Sequence, residues 1–231
     1  MTNNASANQR YQFKPFFGSS HTWALKQLST LPSSAEVLDI GIGCGTIAQH
    51  LRNAGIMNIF GLEQDAEARA ACSSIYKEIF NQLDQIKDCQ FDSILLLDVL
   101  EHMCDPFAFL KSLQGLLKPN GQILISVPNV AHWSLRLSLL LGIWNYTERG
   151  LLDRTHYHFF TRKHLLELCA SCPQLKLTEI TASISPAEFV LPASLLNTIF
   201  FKLFSQMRQL AAQALPGLCA YQHLAILKKV P

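Results

Sequence analysis

One segment, residues 37–46, constrains the fold of this chain more than any other. It reads VLDIGIGCGT, an apolar stretch followed by Gly41, Gly43 and Gly45 at alternate positions. Glycine adopts backbone angles that other residues avoid, and it leaves no Cβ between the main chain and a ligand. The first backbone amides of a following helix are free to face that ligand. The segment therefore predicts a buried strand, a ligand-binding glycine loop and the start of a helix.

Strand-like and helix-like patterns alternate along the rest of the chain. The run FDSILLLD at residues 91–98 is largely apolar, as strands are that parallel sheets bury on both faces. Alternating strands and helices favour an α/β fold with a parallel sheet covered on both faces. We expect a flexible N-terminal segment at 1–18, of which residues 1–10 are polar, and a single domain at 19–231. Within the domain, we expect a lid at about 143–160 and an apolar insertion at about 186–218.

Charge and cysteine usage exclude several classes of protein. The net charge is only +2 and the basic residues are scattered, so no nucleic-acid partner is expected. Seven cysteines are spread widely, and the pair Cys169 and Cys172 has no second pair at zinc-site spacing. They are therefore expected to be thiols in a reducing cytoplasm. Residues 1–30 lack the charged start and apolar core of a signal peptide, which also favours a cytoplasmic protein.

Polar side chains follow three of the predicted strands. Asp39 closes the first strand, Glu63 and Gln64 follow the second, and Asp98 ends the run at 91–98. In open α/β sheets, ligands bind outside the carboxyl ends of the strands. A carboxylate there, above all Glu63, can accept hydrogen bonds from both hydroxyls of a ribose. S-adenosylmethionine (SAM) and NAD both carry such a ribose.

Further motifs stand in a fixed order along the first half of the chain. An acid lies two residues before the first glycine, LDVLEH at 97–102 is followed by DP at 105–106, and LKPNG at 117–121 precedes another strand. From about residue 20 to 130 this pattern resembles the class I SAM-dependent methyltransferases of the small-molecule and quinone O-methylating kind.

That resemblance implies a Rossmann-like fold with a seven-stranded, mostly parallel sheet, and SAM as the cofactor. It implies the following cofactor-binding residues: Asp39, Gly41, Gly43, Gly45, Glu63, Gln64 and Asp98. Members of the family often contact the adenine through an acid after the third strand. The nearest candidates for that contact are Asn81 and Asp84.

A second block covers residues 126–133, SVPNVAHW, and residues 150–161, GLLDRTHYHFFT. It is similar to a bacterial branch of methyltransferases associated with glycan and cell-surface biosynthesis. That similarity implies an acceptor hydroxyl on a small molecule, a sugar or a lipid-linked intermediate. The first part is also similar to MetW-type proteins, which are associated with a partner acyltransferase. A non-catalytic partner protein of that type is the alternative, and a nicotinamide-dependent oxidoreductase is a further rival that the glycine spacing disfavours.

Four residues are candidate catalytic groups, since methyl transfer to a hydroxyl requires in-line positioning and loss of a proton. Histidine suits the base, because its ordinary pKa is near 6.5. His102 follows the run at 91–98 and His156 lies in the lid, and either is a candidate base. Asp153 is expected to hold a ring nitrogen of His156, and Glu101 to orient His102 or to bind a metal. We predict no metal site, because spacing offers no third ligand.

The apolar insertion at 186–218 is too interrupted to span a membrane. Pro192 and Lys202 break its apolar run, which falls short of the roughly 20 residues that a spanning helix needs. We favour a lid that excludes water from an apolar or lipid-linked acceptor. A homodimer interface and peripheral contact with a membrane stay open as alternatives, because each would use an exposed apolar patch.

Overall fold

A computed structural model describes residues 14, 16–87, 89–187, 191–196 and 198–230 of the chain. Most of the expected flexible segment at 1–18 lies outside the described residues. The strands, in chain order, are β1 (Glu36–Ile40), β2 (Asn58–Leu62), β3 (Glu78–Phe80), β4 (Phe91–Leu97), β5 (Leu117–Pro128), β6 (Leu175–Ser183) and β7 (Gln222–Lys229). They form one seven-stranded sheet in the order β3-β2-β1-β4-β5-β7-β6.

The helices occupy the segments between the strands, together with short 3-10 turns. They are α1 (Ser20–Leu28), α2 (Thr46–Asn53), α3 (Ala66–Cys72), α4 (Pro106–Ser112), α5 (Trp133–Leu140), α6 (Arg162–Ala170), α7 (Ala193–Leu196), α8 (Ile199–Ala214) and α9 (Pro216–Cys219). Side chains cap several of these helices. Asp65 accepts from the backbone amides at the start of α3, and Thr161 does so for α6, as their residue types favour.

The sheet is parallel from β3 to β5 and antiparallel at β7. β1 pairs in parallel with β2 and β4, and β4 with β5, whereas β7 runs antiparallel to both β5 and β6. The mostly parallel α/β fold expected from the sequence is therefore confirmed. Since β1 lies between β2 and β4, the carboxyl ends of these three strands meet at one edge of the sheet.

Two apolar cores cover the two faces of the sheet. Leu38, Ile94 and Ile123 belong to one core, whereas Val37 and Leu95, their neighbours along the strands, belong to the other. Successive side chains of a strand point to opposite faces. Strands buried on both faces therefore need apolar residues at nearly every position, which is what the runs in β1 and β4 provide.

β5 begins earlier than the sequence suggests. The segment LKPNG at 117–121, which the sequence analysis places before a strand, instead forms the start of β5, with a break in the register with β4. Asn120 has a φ of 63° there. A Cβ at Gly121 would lie 2.9 Å from the carbonyl oxygens of Lys118 and Phe91, so glycine is required for this close approach.

The apolar insertion forms α7, α8 and α9. Within the described part of the chain, no helix has both the length and the apolar character needed to cross a membrane. α8 packs against β6, and α9 leads directly into β7.

Candidate active site

The glycine loop follows β1 with all three of its glycines at positive φ. The φ angles are 74° at Gly41, 53° at Gly43 and 69° at Gly45, and Gly45 is the residue that caps α2. A Cβ at Gly41 would also lie 3.0 Å from the Cγ2 atom of Val99. Glycine is therefore required by the backbone conformation, and the loop exposes main chain to the space beyond β1.

Asp39 is buried at the end of β1, where it is 5% exposed. The Tyr76 hydroxyl donates a hydrogen bond to its Oδ2 atom at 2.7 Å. Burial raises the pKa of the Asp39 carboxyl to about 6; the Tyr76 hydrogen bond opposes the rise and the Glu63 carboxylate adds to it. The side chain thus has one fixed partner within the protein, and its charge depends on pH in the weakly acidic range.

Glu63 and Gln64 form the turn between β2 and α3. The Glu63 amide donates to the Phe80 carbonyl at 3.0 Å, which extends the pairing of β2 with β3. Arg69 donates to the carbonyls of Glu63 at 3.0 Å and Gln64 at 2.7 Å. Next to this turn, the Asn81 Oδ1 atom is buried without a hydrogen-bond partner. The Asp65 amide donates to the Glu63 Oε1 atom at 3.0 Å. A polar ligand at the end of β2 would therefore meet a carboxylate with one oxygen already held and an unsatisfied amide oxygen.

A cavity of about 510 Å³ lies at the carboxyl edge of the sheet. Its walls come from the glycine loop, the end of β4, the lid and the start of β7. Eight of the sequence-predicted site residues line it: Asp39, Gly41, Gly43, Asp98, Glu101, His102, Asp153 and His156. Gly45, Glu63 and Gln64 are not among its lining residues, and they lie beside it at the starts of α2 and α3.

Asp98 follows β4 with a φ of 59° and is held by three side chains. Its carboxylate accepts from Lys14 at 2.7 Å, from Ser126 at 2.6 Å and from Gln222. Burial alone would raise the pKa of Asp98, but the Lys14 ammonium and the hydrogen bonds from Lys14 and Ser126 bring it below its ordinary value. Asp98 is therefore an ionised residue at the centre of a polar network.

The partners of Asp98 were missed by the sequence analysis. Ser126 lies near the end of β5, and Gln222 begins the antiparallel β7, so both lie at the same edge of the sheet as the end of β4. Their positions in the predicted strands were therefore a signal that they could reach Asp98. Lys14 carried none, because it belongs to no motif that the sequence analysis identified.

Glu101 is fully buried, and neither of its carboxylate oxygens has a hydrogen-bond partner. Burial raises the pKa of Glu101 well above its ordinary value, and the nearby Asp98 carboxylate adds to the rise. Its backbone carbonyl accepts from the amides of Tyr157 at 2.8 Å and His158 at 3.1 Å. The lid is thus anchored directly on the residue whose carboxyl group faces the cavity.

The lid places His156 beside His102, with the two ring centroids 4.8 Å apart. The Nδ1 atom of His102 lies 3.1 Å from the Thr155 carbonyl oxygen. Burial lowers the pKa of His156, and the neighbouring His102 lowers it further. Two histidines from distant parts of the sequence therefore share one wall of the cavity.

Two expected orienting contacts are not formed. Asp153 Oδ1 accepts from the amide of Thr155 at 2.8 Å and from its hydroxyl at 2.7 Å. Asp153 therefore shapes the lid turn instead of holding a ring nitrogen. Glu101 does not orient His102 either, because Thr155 contacts that ring and the Glu101 oxygens have no partner.

Glu101, His102 and His156 each offer one metal-ligand atom, and these atoms lie within 4.8 Å of one another. The sequence argument found no third ligand because His156 is remote in the chain. The structure supplies that third donor, so the reasoning from spacing was wrong, although the absence of a metal stays an untested prediction. One carboxylate and two imidazoles form a donor set that a divalent ion such as zinc or iron would accept.

Comparison with known proteins shows the family to which this chain belongs. A family model described as a methyltransferase domain matches residues 21–171. The chain belongs to the methyltransferase domain family. Its architecture is that of the class I SAM-dependent methyltransferases, as the sequence resemblance implied.

Curated relatives match the chain over part of their length. The ubiquinone biosynthesis O-methyltransferase of Acinetobacter baylyi is 28% identical over 158 residues, which cover 63% of this chain and 65% of the relative. The protein of the same name from Bradyrhizobium diazoefficiens is 29% identical over 128 residues, covering 52% of this chain and 49% of the relative. The chain thus spans about half to two thirds of the length of these relatives.

Solved structures share the fold over almost the whole chain. A SAM-dependent methyltransferase from Archaeoglobus fulgidus matches with a TM-score of 0.56 and 17% identity, covering 91% of this chain and 94% of that one. The plantazolicin methyltransferase BpumL, solved with a monoazolic desmethylPZN analog and SAH, matches with a TM-score of 0.58 and 20% identity. That match covers 99% of this chain and 87% of BpumL.

Proposed function

We propose that the protein transfers a methyl group from SAM to a hydroxyl group of a small molecule, a sugar or a lipid-linked intermediate. The observation that carries this proposal is the cavity itself, which joins the glycine loop to a wall of two histidines. The relatives named as O-methyltransferases support a hydroxyl acceptor at low identity.

The residues at the ends of β1 and β2 fit the donor. The main chain at Gly41 and Gly43 is open to the cavity, and Asp39 and Glu63 offer carboxylate oxygens at neighbouring strand ends. We assign Glu63 to the ribose hydroxyls and the unpartnered Asn81 amide oxygen to a donor on the adenine. Gly45 completes the glycine loop, and Gln64 completes the turn between β2 and α3. Asp98 positions Lys14, Ser126 and Gln222 at the end of β4. When bound, SAM supplies the electrophilic methyl group.

His156 is the candidate general base. Its pKa is lowered by burial, so the ring is neutral at pH 7 and can accept the proton of an acceptor hydroxyl. His102, 4.8 Å away between ring centroids, can hold the same hydroxyl or take the proton in place of His156. Asp153 and Thr155 fix the lid turn that carries His156, and Glu101 anchors that lid through its backbone carbonyl.

The segment that resembles MetW-type proteins has structural roles in this chain. The Asn129 amide donates to the Ala220 carbonyl at 2.8 Å, and the His132 ring accepts from Ser134 at the start of α5. These contacts account for the Asn and His of that motif without a partner protein. They therefore do not favour a non-catalytic function.

Calorimetric titration of the purified protein with SAM and with S-adenosylhomocysteine tests the donor site first. We expect micromolar binding of both ligands. Labelled SAM is then incubated with quinols, sugars and lipid-linked intermediates, and transfer of the label to one class identifies the acceptor. Absence of binding would contradict the proposal. Binding without transfer, together with co-purification of an acyltransferase, would instead support the partner-protein alternative.

A further inference from the structure

α8 exposes its apolar side and buries its polar side. Phe200 is 79% exposed and Met207 is 68% exposed. The exposed large apolar residues of this helix are Ile199, Phe200, Leu203, Phe204, Met207 and Leu210. With 3.6 residues per turn, these positions lie on one continuous stripe. A surface helix normally turns such a stripe towards the core, whereas the six residues of this stripe are 49–79% exposed.

Polar contacts fix α8 in this orientation. On the opposite side of the helix, Arg208 donates to the Ser185 carbonyl at 2.8 Å and Gln209 donates to the Ala182 carbonyl at 3.0 Å. Ser205 and Ala212, on the same side, are buried. The helix is therefore attached to β6 and the segment after it through its hydrophilic side, and rotating it to bury the phenylalanines would break these bonds.

α5 carries a second exposed apolar surface and is linked to α8 through Ser185 and α9. Leu137, Leu139 and Leu140 are at least half exposed, as is Leu141 directly after the helix. Arg136 on α5 donates to the Gly217 carbonyl of α9, and the His132 ring lies 3.3 Å from the Ser185 hydroxyl. The helices thus meet around Ser185, the same residue that holds Arg208.

The two segments that contain these helices carry basic charges only, and the acids next to them in the sequence are Glu148 and Glu188. Residues 130–147 and 189–231 contain no aspartate or glutamate, whereas they contain Arg136, Lys202 and Arg208. Lys202 is exposed on the flank of the α8 stripe. An apolar stripe with basic flanks is the pattern of a helix that lies in the interface of an anionic bilayer.

We propose that the exposed faces of α8 and α5 bind the surface of an anionic lipid bilayer. The phenylalanines and leucines enter the headgroup region, and Lys202 and Arg136 lie at the level of the lipid phosphates. A symmetric contact between two copies fits less well, because both copies would bring basic flanks with no acid from either segment. Lipid phosphates supply the missing negative charge.

This surface adjoins the cavity, because Pro186, next to Ser185, is a lining residue. An acceptor carried by a lipid would therefore be met close to the bilayer. Only this consequence rests on the proposed methyl transfer, and binding to the bilayer does not depend on it.

Flotation of the full chain with lipid vesicles tests the proposal. Vesicles of phosphatidylcholine with phosphatidylglycerol should bind the protein, and added salt should weaken binding. Phe200→Ser combined with Met207→Ser should lower the bound-to-free ratio by roughly ten-fold or more, since each buried side chain contributes strongly. Lys202→Glu should lower it by about ten-fold on anionic vesicles and change little on pure phosphatidylcholine.

Met57→Ser is the matched control, because Met57 is exposed next to β2, near the far edge of the sheet from β6. It should float like the wild type. The melting temperature shows whether each variant is folded, and Lys202→Glu changes only a surface charge. Failure of the wild type to float, or equal flotation of the folded double variant, would overturn the proposal. A wild-type dimer that the double variant converts to a monomer, without vesicle binding, would instead assign this face to self-association.

Discussion

The donor side that we propose, at the glycine loop and the end of β2, and the acceptor side that we propose, at the two histidines, are built in different ways. The donor side comes from two consecutive strand–loop–helix units, in which Asp39, Gly41 and Glu63 lie within a short stretch of chain. The acceptor side joins His102, after β4, to His156 in a lid that docks on the Glu101 carbonyl. The first side depends on local backbone conformation, whereas the second depends on a contact between distant segments. Substitutions on the two sides should therefore affect different measurements.

His156→Ala should give the largest effect and should confine it to turnover. We expect methyl transfer to fall by roughly 100-fold or more, the usual range for loss of a general base. The affinity for S-adenosylhomocysteine should stay nearly unchanged, because the donor side does not include the lid. Rate measurements with the identified acceptor and calorimetry check the two halves of this prediction.

His158→Ala is the control for that variant. His158 lies two residues along the lid but its ring contacts the Cys104 carbonyl at 3.1 Å and is not a lining residue of the cavity. It should retain most of the turnover. Turnover of His156→Ala equal to that of the wild type would remove the residue from the base role.

Glu63→Ala should have the reverse effect, on binding of the donor. Loss of two charge-assisted hydrogen bonds to the ribose should weaken binding of S-adenosylhomocysteine by roughly ten- to hundred-fold. Glu67→Ala removes an exposed acid from the first turn of α3 and should bind as the wild type does. Equal affinities for all three proteins would show that the ribose is held elsewhere.

The pH dependence of the free energy of unfolding should also distinguish the two sides, with a smaller effect. Asp39 and Glu101 both have a raised pKa in the folded protein, so each folded carboxyl keeps its proton where the unfolded one has lost it. Each carboxyl makes its full contribution to the free energy of unfolding when the pH is below its pKa in the unfolded chain. That contribution is lost as the pH rises through its pKa in the folded protein. Each group should contribute a slope of at most about 1.4 kcal/mol per pH unit within its window.

For Asp39 this window runs from 3.8 to about 6, and for Glu101 it starts at 4.5 and extends well above that value. Asp39→Asn should therefore reduce the slope of the free energy of unfolding against pH only between pH 3.8 and about 6. Glu101→Gln should reduce that slope over a window that extends to higher pH. Denaturant unfolding at a series of pH values measures both. Identical slopes in both variants and the wild type would contradict the burial argument.

The sequence predicted the strands and the glycine loop beside the proposed donor site because their signal is local. The apolar runs of β1 and β4 and the spacing of Gly41, Gly43 and Gly45 each specify a conformation without help from distant residues. The predicted start of β5 was wrong because Asn120 and Gly121 are typical of a turn. Here they form a break inside the strand, and only the pairing with the neighbouring β4 explains it.

The acceptor side could not be predicted to the same depth. No spacing rule brings His156 to His102, because the contact depends on how the lid docks. The interaction of Asp98 with Lys14 had no motif at all. For α8, the apolar composition favoured a lid and left an exposed interface as an alternative, and only the exposed side chains and the hydrogen bonds of Arg208 and Gln209 reveal that the apolar stripe faces outward.

The place of β7 in the sheet also imposes an order on assembly. β7 lies between β5 and β6, and the described part of the sheet offers β6 no other neighbour. A nascent chain therefore carries β6 with both edges unpaired until residues 222–229 have left the ribosome, and unpaired edges favour contacts with other chains. Gln222 reaches Asp98 only with that strand. Ribosome stalling before residue 222 should thus yield an aggregation-prone intermediate whose cavity still lacks a wall.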